Sequence, residues 1–98
     1  PMTIAMAVFR CKSDQEQSEL LAWLGGADGL LKTRAYDGCH GIDTLSGPDS
    51  VVALYERWES VEHHQAYVGW RMENGLVDLL EPWLAAPLEI AYYDETGV

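Results

Sequence analysis

The segment LYERWESVEHHQAYVGWR, residues 54–71, carries most of the side chains that could do acid–base chemistry. Within it, His64, Tyr67 and Arg71 recur at spacings of three and four, which on a helix places an imidazole, a phenol and a guanidinium on one face. An imidazole can remove a phenolic proton near neutral pH, and a guanidinium can hold an anionic oxygen. His63 is one residue, about 100°, away around the helix, so only one of the two histidines can face inward. The alternative is that His64 and Arg71 edge the surface, solvated or paired with acidic residues.

Two residues of the preceding segment could belong to the same site. Up to Trp58 the sequence alternates like a strand, and Glu56 shares a strand face with Leu54 and Trp58. We predict that Glu56 points inward as a general base or as the group that orients His64. The alternative is that it pairs with a cation of the second helix, because a buried carboxylate needs a partner. Trp58 could stack on a flat substrate ring or fill the space between sheet and helix.

His40 and the two cysteines complete the reactive side chains. His40 lies in the turn GCHG and could reach the mouth of a pocket, although a turn histidine is more often exposed to solvent. Cys11 and Cys39 form no CxxC pair and no disulfide framework, so we predict reduced, half-buried thiols. Because no Cys, His, Asp and Glu residues cluster at ligand spacing, we predict no metal site.

A short alternation of strands and helices must position these side chains. The predicted strands are residues 3–10, 41–45, 50–58 and 88–94, and a turn at 46–49 joins the second to the third. The first predicted helix begins at the Ser13/Glu16 capping box and continues to Ala35, with a kink or brief break at Gly25-Gly26. The second is capped by Ser60 and continues to about Leu80, with weak points at Gly69 and Gly75.

The order β-α-β-β-α-β predicts an α+β, ferredoxin-like fold with one antiparallel sheet and two helices on one face. The uncovered face of such a sheet is normally polar, yet the first and third strands are apolar on both faces. We therefore predict a homodimer in which the sheets face each other, with Met6, Val8, Val51 and Tyr55 in or near the interface.

Composition excludes several partners. The 98 residues suffice for one domain, and the formal charge of −10 repels the phosphate backbone of nucleic acids. No apolar run approaches the ~20 residues of a membrane span, and no charged and apolar leader precedes the first strand. We expect a soluble, cytoplasmic protein.

The stretch LYERWESVEHHQAY, preceded by GCHGID and followed by PLEIAYYD, resembles the antibiotic biosynthesis monooxygenase family. The resemblance covers nearly the whole chain and implies a single domain, residues 1–98, that forms a dimeric α/β barrel. It also implies a cofactor-free monooxygenase, in which the deprotonated ring of a bound quinol or polyphenol reacts directly with dioxygen. For such a reaction we predict that His64, Arg71 and Glu56 are the catalytic residues and that Trp58, Tyr67, Phe9 and His40 contact the substrate. Many family members have a histidine where this chain has Tyr67.

The haem-degrading branch of that family can be tested against this sequence. The branch has an asparagine late in the first strand, an aromatic residue in the second helix and an iron-binding histidine further along. The corresponding residues here are Phe9, Tyr67 and Val77, of which only the aromatic residue agrees. The sequence also lacks a glycine-rich dinucleotide loop. We therefore predict that the protein uses no haem, flavin, nucleotide or metal cofactor.

Two other functions are compatible with the sequence. A dimeric barrel of this kind can be a small-molecule-binding or stress-response protein without catalytic activity. In addition, a proline with a free amine, as at Pro1, is the base of tautomerases. The short β-α-β units of that superfamily match the long second helix of this chain poorly.

Overall fold

The computed structural model describes the whole chain, Pro1–Val98. Its elements are β1 (Thr3–Arg10), α1 (Asp14–Leu24), α2 (Leu30–Ala35), β2 (Cys39–Gly47), β3 (Val51–Trp58), α3 (Val61–Glu73), α4 (Leu76–Leu80) and β4 (Glu89–Asp94). The strands form one antiparallel sheet in the order β2-β3-β1-β4, which leaves β2 and β4 at the edges. The predicted α+β class, the ferredoxin-like order and the antiparallel sheet are confirmed, and each predicted helical region consists of two helices.

The first helical region is capped and broken where its sequence indicates. Ser13 is the N-cap of α1; its hydroxyl accepts from the amide of Gln15 and donates to the Glu16 carboxylate at 2.6 Å. The helix ends at Leu24 and the chain does not become helical again until α2. At Gly29 a Cβ atom would lie 2.3 Å from the carbonyl oxygen of Trp23, so only glycine fits where the chain passes back over the end of α1.

The second helical region has the same design. Ser60 is the N-cap of α3 and accepts from the amide of His63 at 3.1 Å. The helix passes through Gly69 without interruption and ends at Glu73. Gly75, at a φ of 88°, then turns the chain into α4, in a left-handed conformation that glycine adopts without steric cost. The helical region is therefore interrupted at Gly75 and continuous through Gly69.

The core lies between the helices and the inward face of the sheet. On β1 the alternate residues Thr3, Ala5, Ala7 and Phe9 are buried, and on β3 every second residue from Val52 to Trp58 is buried. The leucines of the helices pack against these rows, namely Leu20, Leu24, Leu30 and Leu80. This period of two is what aims the functional side chains of β3 at the helices.

The opposite face of the sheet is apolar and only partly covered. Met6, Val8, Val51 and Tyr55 are half-buried, and Tyr93 is 58% exposed on this face. The outward face is thus apolar, as the homodimer prediction assumes. The dimer itself stays a prediction. None of the helices is both long enough and apolar enough to pass through a lipid bilayer.

Candidate active site

One row of the sheet supplies the base of the site. Glu56 of β3 is paired with Ala5 of β1, and Ala5 is paired on its other side with Tyr92 of β4. The three residues therefore lie side by side across the sheet and project towards the helices. His64 of α3 contacts both Glu56 and Tyr92, so its ring spans the central strand. The methyl group of Ala5, which is completely buried, leaves the space that the ring needs.

The contacts of His64 and Glu56 form a buried polar chain. His64 Nδ1 lies 2.7 Å from Tyr92 Oη, and His64 Nε2 lies 3.5 Å from Glu56 Oε1. Trp58 Nε1 donates a hydrogen bond to the same carboxylate oxygen at 2.8 Å. Glu56 is 3% exposed and His64 is 1% exposed, so bulk water does not solvate either group. The predicted inward direction of both side chains is correct, and the partner of Glu56 is an imidazole rather than a helix cation.

Burial sets the protonation of this pair. It raises the pKa of Glu56 to about 7, although the hydrogen bond from Trp58 favours the carboxylate. It lowers the pKa of His64 to about 4, because an imidazolium is poorly solvated in the interior. At neutral pH His64 is therefore neutral, and Glu56 lies near its titration midpoint. The carboxylate is therefore the stronger base of the two, which favours Glu56 as a general base over Glu56 as the group that orients His64.

His63 is on the other side of the helix, as its spacing predicts. Its Nδ1 atom is hydrogen-bonded to the hydroxyl of Ser60 at 2.7 Å, and its Nε2 atom lies 3.7 Å from Asp37. The ring thus belongs to the helix N-terminus and to the surface. Only His64 reaches the interior.

Arg71 is buried but its hydrogen bonds are directed at the protein itself. Its guanidinium donates to the hydroxyl of Tyr67 at 2.7 Å, to the carbonyl oxygens of Asp28 and Gly29 at 2.9 and 2.8 Å, and to the hydroxyl of Thr33 at 3.2 Å. A guanidinium has five N–H donors, so one is left for a ligand. These contacts engage four of the five donors, and the role of Arg71 in holding an anionic oxygen stays a prediction. They make it the residue that ties α3 to the α1–α2 junction.

Tyr67 connects this structural cluster with the buried Glu56–His64 pair. Its hydroxyl lies 2.6 Å from Thr33 Oγ1 and accepts from Arg71 Nε. Burial raises the pKa of Tyr67, while the hydrogen bonds from Thr33 and Arg71 lower it in part. Its ring centroid lies 5.4 Å from that of Trp58 and 6.1 Å from that of His64. Tyr67 therefore forms one wall of the site beside the titratable pair.

Two neighbouring spaces lie beside these residues. The inner one is a cavity of about 50 Å³, and its polar lining comprises Glu56, His64, Tyr67, Arg71 and Thr33. The outer one is a groove of about 610 Å³ between α3, α4 and the segment that leads into β4, and ten of its twelve lining residues are hydrophobic. The two spaces share the side chains of Val68, Leu76, Leu88 and Ile90 as a common wall. The groove can hold an organic molecule of several rings, whereas the cavity can hold little more than water.

Several predicted substrate contacts have different positions. Phe9 lines the cavity on its apolar side and belongs to the core. Trp58 is completely buried and touches His64 and Tyr67, which supports the core interpretation over a stacking surface for substrate. His40 does not reach the site, because it lies in a bulge of β2, where its Nε2 atom bonds the exposed Glu59 carboxylate at 2.7 Å.

Tyr92 and Thr33 are the residues that the sequence analysis missed. A signal for Tyr92 was present, since alternation along β4 separates it from the exposed Tyr93. Thr33 gave no signal, because its role depends on how α2 docks against α3. No three His, Cys, Asp or Glu side chains lie close enough together to bind a metal ion. The absence of a cofactor remains a prediction.

Solved structures share this fold over nearly its whole length. No family profile and no curated protein match the chain. A monooxygenase from the gene ActVA-Orf6 of Streptomyces coelicolor, solved with the ligand nanaomycin D, superposes with a TM-score of 0.81 at 20% identity, covering 99% of this chain and 89% of its own. The protein Rv0793 from Mycobacterium tuberculosis has a TM-score of 0.77 at 22% identity, covering 98% and 96%. A structure described as an antibiotic biosynthesis monooxygenase has a TM-score of 0.73 at 16% identity, covering 97% and 99%. These TM-scores establish a common fold.

Proposed function

We propose that this protein is a single-domain member of the antibiotic biosynthesis monooxygenase family and that it oxidises a quinol or polyphenolic aromatic with dioxygen, using no cofactor. The observation that carries the proposal is the buried Glu56–His64 pair behind the wall of a large apolar groove. A base held out of water beside a space for flat rings is what deprotonation of a phenol requires. The fold shared with a monooxygenase that binds a small organic ligand supports it.

The lining of the groove favours a neutral ligand. Its only charged residue is Glu81, and the chain as a whole carries a formal charge of −10. An anionic ligand would be repelled by this field, so the phenol enters with its proton. We place the rings of the substrate in the groove, with one hydroxyl directed between Val68 and Ile90 towards the cavity. That approach requires these two side chains to move apart.

Glu56 is the proposed proton acceptor, and His64 is its partner. The pKa of Glu56 near 7 makes it the better base at neutral pH, and the Trp58 N–H steadies the carboxylate. Transfer from a phenol of pKa ~10 to this group is uphill by about 4 kcal/mol, which an enzymatic step can accommodate. Tyr67, held by Arg71, lines the cavity that the substrate hydroxyl enters.

The phenolate then supplies the electrons for the reaction. A ring carbon of the phenolate forms a bond to dioxygen, and the resulting peroxide takes the proton from Glu56. The carboxylate next removes the hydrogen of that carbon as the O–O bond breaks, and hydroxide leaves. The proton that Glu56 then releases combines with this hydroxide to give water, which returns Glu56 to the carboxylate. The sum is phenol plus dioxygen to quinone plus water. Stabilisation of the anionic states by a preorganised, dry site is the contribution of the protein.

The test is oxygen consumption by purified protein with a panel of hydroquinones and polyphenols. We expect a saturable rate above the no-protein rate, and we expect Glu56→Gln to lower kcat by about 10²-fold or more. Glu59→Gln is the matched control, because that carboxylate is exposed and contacts only His40. No turnover of any compound, or equal losses in the two variants, would contradict the proposal.

The second candidate function is a non-catalytic ligand-binding protein. The small volume of the inner cavity favours it, since a ligand in the groove would be separated from Glu56 by the shared wall. Saturable binding of polyphenols without oxygen uptake would establish this function. A tautomerase that depends on Pro1 gains no support, because Pro1 is exposed and lines neither the cavity nor the groove.

A further inference from the structure

The groove and the proton acceptor create a problem of access. A ligand that fills the groove covers the shared apolar wall, which is the side of the cavity that faces solvent. Glu56, already 3% exposed, then has no contact with water through that side. A buried carboxylate in this position can exchange its proton with solvent only through neighbouring polar groups.

A chain of such groups leads from Glu56 across β1 to the edge strand β4. His64 Nε2 lies 3.5 Å from the carboxylate, and His64 Nδ1 lies 2.7 Å from the hydroxyl of Tyr92. Tyr92 is half-buried and belongs to the edge strand β4, so its side chain spans from the interior to the rim of the fold. The first gap closes to a hydrogen bond of about 3.0 Å with a shift of about 0.5 Å.

We propose that His64 and Tyr92 form a proton path that connects Glu56 with bulk solvent while the groove is occupied. Its catalytic use rests on the proposed function, whereas its existence does not. The path begins with Glu56 protonated and with the His64 proton on Nδ1, donated to Tyr92 Oη. Glu56 gives its proton to Nε2, Nδ1 gives its proton to Tyr92 Oη, and the original hydroxyl proton of Tyr92 passes to water. One proton leaves, Glu56 becomes a carboxylate and His64 remains neutral.

No other group around Glu56 offers this route. The titratable groups that face it are His64 and Tyr67 from α3, Tyr92 from β4 and Cys39 from β2. The Tyr67 hydroxyl is bonded to Thr33 and Arg71, which are both buried, so it leads further into the protein. Burial raises the pKa of the Cys39 thiol, and a thiol is a weak hydrogen-bond donor.

The neutral state of His64 suits this role. An imidazole with a free lone pair on one nitrogen and a proton on the other can accept at one side and donate at the other. Burial lowers its pKa to about 4, so it does not trap the proton as an imidazolium near neutral pH. Tyr92 adds a hydroxyl that can both donate and accept.

The path can be tested without substrate by a pH jump followed with infrared spectroscopy. The carboxyl C=O band of Glu56, assigned by its loss in Glu56→Gln, reports protonation across about pH 5 to 9, a range that brackets a pKa of about 7. The groove is first filled with a redox-inert polycyclic ether, so that water cannot enter from that side. We expect Tyr92→Phe, which keeps the ring and removes the hydroxyl, to slow the response by about tenfold or more. Tyr93→Phe, an exposed residue on the other face, should respond like the wild type.

A second variant that interrupts the path keeps the test valid if one of the two variants fails to fold. His64→Leu removes both ring nitrogens and leaves Tyr92 in place, so it should slow the response as Tyr92→Phe does. Unchanged kinetics in both variants, or a Glu56 band that does not titrate, would overturn the proposal. In turnover, Tyr92→Phe should lower kcat with KM unchanged and should be rescued in part by small buffers. If no substrate is turned over, the infrared result still decides whether the path exists.

Discussion

Glu56 and Tyr92 lie on strands that are not neighbours, and a single imidazole, that of His64, contacts both of them. The residue between them on β1 is Ala5, and its small side chain is the condition for this bridge. The arrangement joins the most buried carboxylate of the chain to a residue at the edge of the sheet, and it is the basis of both proposals above.

The two histidines give the most direct test of the site. His64→Ala should lower turnover by ~10²–10⁴-fold, because it removes the partner of the proposed base. His63→Ala should change turnover little, since the polar contacts of that ring are with Ser60 and Asp37, away from the buried pair. Steady-state kinetics with the best hydroquinone, together with circular dichroism to verify folding, measure the difference. Equal effects of the two changes would show that His64 does not assist the proposed base.

We expect replacement of Arg71 to destabilise the folded protein. Replacing it with alanine removes the donor to the carbonyl oxygen of Asp28 and one of the two donors to that of Gly29, which also accepts from the amide of Lys32. It also removes a buried charge from its hydrogen-bond partners, and we expect a loss of about 3–5 kcal/mol in the free energy of unfolding. The control is Arg57→Ala, whose exposed ion pair with Asp43 spans 3.7 Å and should contribute less than about 1 kcal/mol. Urea denaturation measures both, and similar losses would contradict the structural role of Arg71.

The buried pair should give stability a pH dependence that only single variants reveal. Between 4.5, the usual pKa of a glutamate, and about 7, Glu56 binds its proton more tightly in the folded state, so stability falls as pH rises. Between about 4 and 6.5, the usual pKa of a histidine, His64 is protonated only in the unfolded state, so stability rises with pH. The two slopes oppose each other in the wild-type protein.

Glu56→Gln should therefore leave a rising slope between about pH 4.5 and 6.5, and His64→Gln should leave a falling one. Each slope has an upper limit of about 1.4 kcal/mol per pH unit. Urea denaturation at several pH values measures them, and slopes of the same sign in both variants would refute this account of the pair.

The outer face of the sheet predicts a homodimer. Val8 and Tyr55 are apolar and only half-buried on this face, and a second copy would cover them. Light scattering at micromolar concentration should give twice the mass of the chain, and Val8→Glu should give the mass of one chain. A monomeric mass for the wild-type protein would show that this face is left bare.

The sequence determined the elements of this fold more completely than the contacts of the site. Ser13, Ser60 and the period of two in β3 are local signals, and each has its predicted effect. The inward direction of His64 also follows from local spacing. By contrast, Arg71 was placed on the correct helix face with the wrong partners, because those partners belong to the α1–α2 junction and depend on tertiary docking.

The order of base strength within the pair was beyond sequence reasoning for a similar reason. Which of Glu56 and His64 accepts a proton depends on how deeply each is buried, and burial is a property of the assembled layers. Tyr92 was missed because its role requires the pairing of β1 with β4.

The hydrogen bonds of Arg71 also bear on the sequence of events in folding. The carbonyl oxygens of Asp28 and Gly29 precede it by 43 and 42 positions, so these bonds can form only once α3 has been synthesised. The junction that Gly29 allows is therefore completed late, although it lies early in the chain. A nascent polypeptide that ends at α2 lacks the guanidinium that binds both carbonyls, so the α1–α2 junction acquires its final contacts only after the other half of the protein has been synthesised.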